Sequence, residues 1–390
     1  MARIAIILAL PIEYNTSSML RCRSVIFALA ELGHEIKCYC PNPDKNSKYY
    51  GNEKVDIPGL EIFRFGKPAW SKQGGNELTS KSKKSLKSII KEIGLDVFHK
   101  VDVFGSTLLY LPERKKLSDD IAKGRFDILI SFSDPMPAHM IAKYVKQHNP
   151  QLRYIQQWGD PLASDTISKT AQPVWMRKII EKSLLKQSEK VCYVSPFTCE
   201  EQKTIFPKQA KKMVFLPTPS LQYNENPIER EEICIGYFGS YNSVARNLRP
   251  FYDAAKQNTS IKFLIIGDSD IKLDSTENIV VINRVSPDEL NKYMQQINVI
   301  ACLMNSKGNQ IPGKVYHDSS STKDILFIKD GEYGDKIQKF FQKYDHYTFV
   351  DNDVESIDKA LKNYMNSGVP VRRPIDDFQA INVASKLIES

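Results

Sequence analysis

No Cys-x-x-Cys pair and no cluster of histidines occurs in the 390 residues, so the spacing that a zinc site needs is missing. The seven cysteines, Cys22, Cys38, Cys40, Cys192, Cys199, Cys234 and Cys302, are odd in number, scattered and mostly flanked by apolar residues. They read as buried thiols of a reducing cytosol rather than a disulfide framework. No apolar run approaches the roughly twenty residues of a transmembrane helix. The opening run RIAIILAL, Arg3 to Leu10, stops at Pro11 and Glu13, too short to span a bilayer or to serve as a cleaved signal, and reads as a buried first strand. The net charge of +8 raises nucleic acid as a partner, but the lysines lack interleaved aromatics and no zinc-finger, RNA-recognition or helix-turn-helix pattern is present. Nucleic acid is therefore not an expected partner. No internal repeat is visible, and no two acids stand out as the pair a hydrolase of glycosidic bonds requires.

What the chain does have is alternation. Apolar runs of strand length alternate with segments of helical period, the pattern of parallel strands joined by crossover helices. In the first half strands are expected at Arg3 to Leu10, Glu35 to Cys40, Leu60 to Phe65, Asp127 to Phe132, Leu152 to Gln156 and Lys190 to Val194. Between the first two, Val25, Ile26, Leu29 and Leu32 share a helix face and Gly33 supplies its stop. A proline-bearing break at Leu216 to Glu232 then separates a second series: Ile233 to Ser240, Ile261 to Asp268, Asn278 to Ile282, Val299 to Leu303 and Ile325 to Lys329. Ser286, Pro287 and Glu289 form a capping-box start for a helix in that half. A length of 390 residues with 42% hydrophobic and 26% charged content suits two such cores. The expected architecture is α/β: two doubly wound Rossmann-like domains, 1–216 and 217–374. A terminal helical segment, 375–390, has its spacing at Phe378, Ile381, Ala384 and Ile388.

Two segments carry chemistry. In IPGKVYHDSSSTKDILFI, Ile311 to Ile328, Pro312, Gly313 and Lys314 open a short helix whose free N–H groups and lysine suit a diphosphate, as in a nucleotide-sugar donor. In Ile233 to Ser240 a strand ends in Gly239, and Arg246 and Arg249 follow near the next helix. A close backbone approach and a cation thus meet at a strand's carboxyl end.

Both segments resemble the donor site of family 4 glycosyltransferases. The turn Tyr237, Phe238, Gly239, Ser240 is similar to their Y-x-G-S pattern, and the Gly313–Lys314 pair with the aromatic that follows is similar to their G-K-V-F-like segment. The resemblance implies a GT-B fold with an interdomain cleft, a tail helix that packs back on the first domain, and retention of anomeric configuration. No metal and no separate cofactor are implied, since the nucleotide-sugar is itself a substrate. By carry-over, Arg246 and Lys314 neutralise the departing diphosphate, with Arg249 the substitute for Arg246. The donor is also expected to meet Gly239, Ser240, Gly267, Asp268, Val285, Gly313, Val315, His317 and Asp318. The family's ribose-binding acid is here His317, with Asp318 beside it. The acid of many members eight residues earlier is Asn309, and the downstream Gly and Pro are Thr322 and Asp324.

The first domain is expected to hold the acceptor, a glycan or a lipid-diphosphate-linked glycan. Its strand ends carry Tyr14, Asn15, Asp134, His139 and Trp158 as candidate contacts. The segment YIQQWGDP is similar to an element of some family members and marks Asp160 for acceptor or sugar contact. Leu86, Ile89, Ile90, Ile93 and Val97 form an apolar stripe opposite Lys81, Lys83, Lys84, Lys87 and Lys91. That pattern fits either an ordinary surface helix or peripheral contact with an anionic membrane. The resulting expectation is a cytoplasmic enzyme of bacterial polysaccharide, O-antigen or capsule synthesis, at the inner face of the membrane. The rivals are a sugar-nucleotide epimerase of similar fold and an inactive homologue that binds the donor.

Overall fold

The computed structural model describes residues 1–47, 49–51, 55–66, 111–133, 136–164, 173–221 and 232–389. The segment with the basic stripe, Lys81 to Lys91, lies outside the described residues, as does Asp134.

The first sheet contains β1 (Arg3–Ile7), β2 (Glu35–Pro41), β3 (Leu60–Phe65), β4 (Ile128–Phe132), β5 (Arg153–Trp158), β6 (Lys190–Tyr193) and β7 (Met213–Phe215). All are parallel, in the order β3-β2-β1-β4-β5-β6-β7. The second sheet contains β8 (Cys234–Phe238), β9 (Lys262–Ile266), β10 (Ile279–Ile282), β11 (Val299–Leu303), β12 (Asp324–Lys329) and β13 (Tyr347–Asp351). Its strands are also parallel, in the order β10-β9-β8-β11-β12-β13. Parallel strands covered on both faces must be apolar along their whole length, and Ile4 to Ile7 and Ile325 to Ile328 are indeed fully buried.

In both sheets the chain winds outward through three strands and then returns to the other side of the first. The reversal leaves a crevice at the carboxyl ends of β1 and β4 in one sheet and of β8 and β11 in the other. The chain divides into two compact units, Met1–Pro217 with Val383–Ser390, and Thr218–Asn382.

Local signals behave as their chemistry dictates. The helix Ser17–Glu31 starts where the Thr16 side chain accepts from Met19 N–H and ends before Gly33, whose φ of +83° only glycine adopts without strain. Leu32, expected on the buried face, is instead exposed at that end. Ser286 Oγ accepts from Glu289 N at 3.3 Å and opens the helix Pro287–Met294. Two edge strands, β7 and β13, were not expected, and the tail helix Ala380–Ile388 buries Val383, Ala384 and Leu387 rather than Ile381 and Ile388. Its carbonyls meet the first unit: Arg153 Nη1 donates to Ile388 O at 2.6 Å, and Lys190 Nζ to Lys386 O at 2.7 Å.

Candidate functional site in the second unit

The chain leaves β8 through Gly239 and Ser240 into a loop that folds back on itself, with paired backbone bonds between Asn242 and Arg246 of 3.0 and 3.2 Å. That loop is tied to the one leaving β11. Ser306 N donates to Ala245 O at 2.8 Å, and Arg246 Nε donates to Asn305 Oδ1 at 2.6 Å. Arg246 is thereby held half-buried at the crevice of the second sheet.

Lys314 arrives at the same place from the one-turn helix Gly313–His317, which follows the β11 loop. Its aliphatic stem crosses Gly239 so closely that a Cβ there would stand 3.4 Å from Lys314 Cε. A common neighbour registers both cations. The Cys302 thiol of β11 is pushed up to about 12, first by burial and then by Asp318, while Lys314 and Arg246 both draw it down. Tyr237 on β8 feels Arg246 in the same way, although burial dominates and raises its phenol. Positive groups from two separate loops therefore both act on the Cys302 thiol near the carboxyl ends of β8 and β11, with the Lys314 stem against Gly239.

The neighbouring strand ends complete the rim. Gly267 must be glycine, because a Cβ would lie 2.0 Å from Gly239 O. Asp268 pairs with Arg284 at 3.0 Å, and Arg284 Nη2 also donates to Ser240 Oγ at 3.3 Å. The Ser240 carbonyl accepts from Tyr237 Oη at 3.2 Å.

The other expected donor contacts differ in exposure. Val315 is fully buried with its carbonyl accepting from Tyr347 Oη at 3.0 Å, so its side chain packs the core. His317 and Asp318 are also buried, at 5% and 2% exposure. Arg249 is exposed at the start of the helix Arg249–Gln257 and donates to Lys272 O at 3.4 Å, away from the partners of Arg246. Val285 is half-buried after β10, and Gly313 half-buried before Lys314. Asn305 and Arg284 escaped the sequence reading. Both stand within three residues after a strand, which was the available signal.

The corresponding ends in the first unit look different. Trp158 is completely buried and donates to Gln156 Oε1 at 3.0 Å, with the His139 ring 4.5 Å away. His139 Nδ1 lies 2.6 Å from Ser131 Oγ, which lies 2.8 Å from Tyr154 Oη. Burial alone holds the His139 imidazole down at about 3, so it is neutral at ordinary pH. Tyr14 is likewise interior, its hydroxyl accepting from Asp44 N at 3.2 Å. All three side chains are buried and hydrogen-bonded within the first unit. Asn15 is half-exposed, its Oδ1 held by Arg23 Nη2 at 3.0 Å, and Asp160 is exposed in the loop after β5. That loop is pinned from within: Gly159 N donates to Ser133 Oγ at 2.8 Å, and Ala163 N to Glu181 Oε2 at 2.6 Å.

A cavity of about 310 Å³ lined by Arg3, Glu35, Lys37, Glu61 and Phe126 lies at the amino ends of the first strands, opposite the crevice. Its charges already pair with one another, Arg3 with Glu35 at 2.8 Å and Lys37 with Glu61 at 2.9 Å, so it is not assigned a ligand. Among the described residues no group of three or more His, Cys, Asp or Glu is placed to hold a metal ion, and no helix is long and apolar enough to cross a membrane.

No family model matches the chain, and no curated protein matches it by sequence. Solved structures do match along nearly its whole length. AviGT4, a glycosyltransferase involved in avilamycin A biosynthesis, is similar with a TM-score of 0.53 at 10% identity, covering 100% of this chain and 96% of its own. UGT89C1 of Arabidopsis thaliana, solved with UDP-L-rhamnose, gives 0.53 at 12% identity over 99% and 93%. The UDP-GlcNAc 2-epimerase of Neisseria meningitidis, solved with UDP-GlcNAc, gives 0.51 at 9% identity over 99% and 98%. With two parallel-sheet α/β domains of matching order, these likenesses define a GT-B fold.

Proposed function

We propose that the chain is a retaining glycosyltransferase, similar to family 4, that moves a sugar from a nucleoside diphosphate to a glycan or lipid-diphosphate-linked acceptor in bacterial surface-polysaccharide synthesis. The observation that supports this reading is that Arg246 and Lys314 both act on Cys302 of β11, with the Lys314 stem against Gly239 at the end of β8. Breaking a glycosyl–diphosphate bond builds negative charge on the leaving oxygen, and fixed cations aimed there lower the barrier. Arg246, oriented by Asn305, and Lys314 take that role, so the charge is met by side chains rather than by a resident metal. Gly239, Ser240, Asp268 and Arg284 form the rest of the donor rim. The acceptor is assigned to the first unit, where Asn15 and Asp160 are the accessible expected contacts, and the enzyme to the cytoplasm.

The epimerase reading rests on the same fold, so activity must separate the two. Thermal shift with UDP-, GDP-, dTDP- and CMP-sugars identifies the donor. Product analysis then distinguishes a sugar joined to an acceptor from a free epimerised sugar, and a binding-only homologue yields neither. Lys314→Ala is expected to lower transfer about a hundredfold to a thousandfold, equivalent to roughly 2.7 to 4 kcal/mol in activation, with unchanged thermal unfolding. Near-normal turnover in that variant overturns the donor-site assignment.

A further inference from the structure

The helix Val174–Leu185 in the first unit turns an unusual face to solvent. Trp175 is 64% exposed and Ile179 60%, with Val174 and Met176 beside them at 48% and 38%. Four of the large apolar side chains that the described structure leaves in water thus belong to one helix, and three of them come from its first turn. Trp175, Lys178, Ile179, Lys182 and Lys186 recur at intervals of three and four residues, which places them along one stripe. All three lysines are exposed. The acid of this helix, Glu181, is fully buried on the opposite face, next to Arg177 and Leu184. The stripe is therefore apolar at its start, basic along its length and free of negative charge.

We propose that this face docks on an anionic phospholipid bilayer. An indole and neighbouring aliphatic groups gain by entering the headgroup boundary, while lysine stems lie along the apolar surface and place their ammonium groups among lipid phosphates. Burial against a second copy offers the three lysines no acidic partner, since the stripe carries none, whereas a lipid surface supplies phosphates. The stripe is distinct from the basic segment at Lys81 to Lys91, and the inference does not depend on the donor-site reading.

Co-sedimentation of the full chain with vesicles tests it, comparing pure phosphatidylcholine with a mixture of roughly three parts phosphatidylcholine to one part phosphatidylglycerol. The protein is expected to bind the mixed vesicles and not the neutral ones. Replacing Lys178, Lys182 and Lys186 together by Gln should lower partitioning about a hundredfold, because each lysine near an anionic surface contributes about fivefold. Trp175→Ala with Ile179→Ala should lower it about tenfold or more. Both variants are expected to keep the wild-type unfolding midpoint, since the replaced side chains are exposed, and residues 81–91 stay intact in each. Failure of the wild type to bind mixed vesicles overturns the proposal, as does equal binding of wild type and both variants. A dimer that Trp175→Ala with Ile179→Ala dissociates, in a protein that ignores vesicles, assigns the face to a second copy instead.

Discussion

The two units wind their strands in the same order, yet the charged strand ends of the second sheet contrast with the neutral interior between β4 and β5 of the first. At the carboxyl ends of β8 and β11 the side chains are half-exposed cations, Arg246 and Lys314, around a bare glycine. Around β4 and β5 they are buried and neutral, with Ser131, His139, Tyr154, Gln156 and Trp158 joined in one hydrogen-bonded chain. An open α/β sheet supplies an address for a ligand; the groups at that address decide whether charge waits there or the interior simply continues.

The largest expected effects break that comparison in two directions. Trp158→Ala should cost about 3 to 5 kcal/mol of stability, because it empties a large volume in a packed core and leaves Gln156 without its indole donor. Arg246→Ala should change unfolding by less than about 1 kcal/mol, since the group is half-exposed, yet lower transfer about a hundredfold to a thousandfold. Urea unfolding and initial rates on the same two proteins give the answer. A Trp158→Ala variant that unfolds normally but loses acceptor affinity would make the end of β5 a binding end.

Much of this layout was legible in the chain. Eleven of the strands announce themselves as apolar runs, because a parallel strand covered on both faces has no polar side to hide it. The two that did not, β7 and β13, are edge strands; MVF is three residues long, and YTFVD mixes polar and apolar positions. Arg246 and Lys314 were nominated from a glycine-ended strand, a short helix start and a family resemblance, and both act on the same buried thiol, Cys302. The direction of a side chain at a strand end was not. Trp158 is the last residue of β5, and whether it points into a face or out of the end depends on pleat register and on what packs above it. Partners such as Asn305 are set by loops meeting in space, which spacing along the chain does not encode.

A second contrast concerns protons. Burial pushes the Glu181 carboxyl in the first unit up to about 8, with the N–H groups of Ala163 and Leu162 opposing it more weakly. A carboxyl whose folded value exceeds its unfolded value of 4.5 holds its proton more tightly when folded. Its stabilisation is complete below pH 4.5 and is lost as pH rises towards 8, on the order of 5 kcal/mol across that window. His139 acts with the opposite sign: its depressed value means that stability is present above 6.5 and lost as pH falls towards 3. Glu181→Gln keeps an oxygen for Ala163 N and cannot ionise, so its urea stability should exceed wild type progressively from pH 5 to pH 8 (about 2 kcal/mol or more at the top) and leave the acid limb unchanged. Parallel curves for the two proteins would mean that Glu181 is solvated in solution and does not anchor the loop of Asp160 through a neutral carboxyl.

The smallest expected effect is the most informative about the second unit. Arg284 and Asp268 form an ion pair at 3.0 Å on the proposed donor rim, with both side chains more than half exposed. Water already solvates such charges well, so a double-mutant cycle of Arg284→Met and Asp268→Asn should give a coupling of only about 0.2 to 1 kcal/mol, shrinking further in high salt. Weakness suits the proposed role: a guanidinium held loosely by a carboxylate can turn to a ligand's phosphate at little cost, whereas one buried in a strong pair cannot. Repeating the cycle with the bound nucleotide identified by thermal shift should abolish the coupling, since Arg284 then faces the ligand. A coupling above about 2 kcal/mol in the free protein, or one that nucleotide leaves untouched, would make the pair a structural clasp and confine the donor's counter-charges to Arg246 and Lys314.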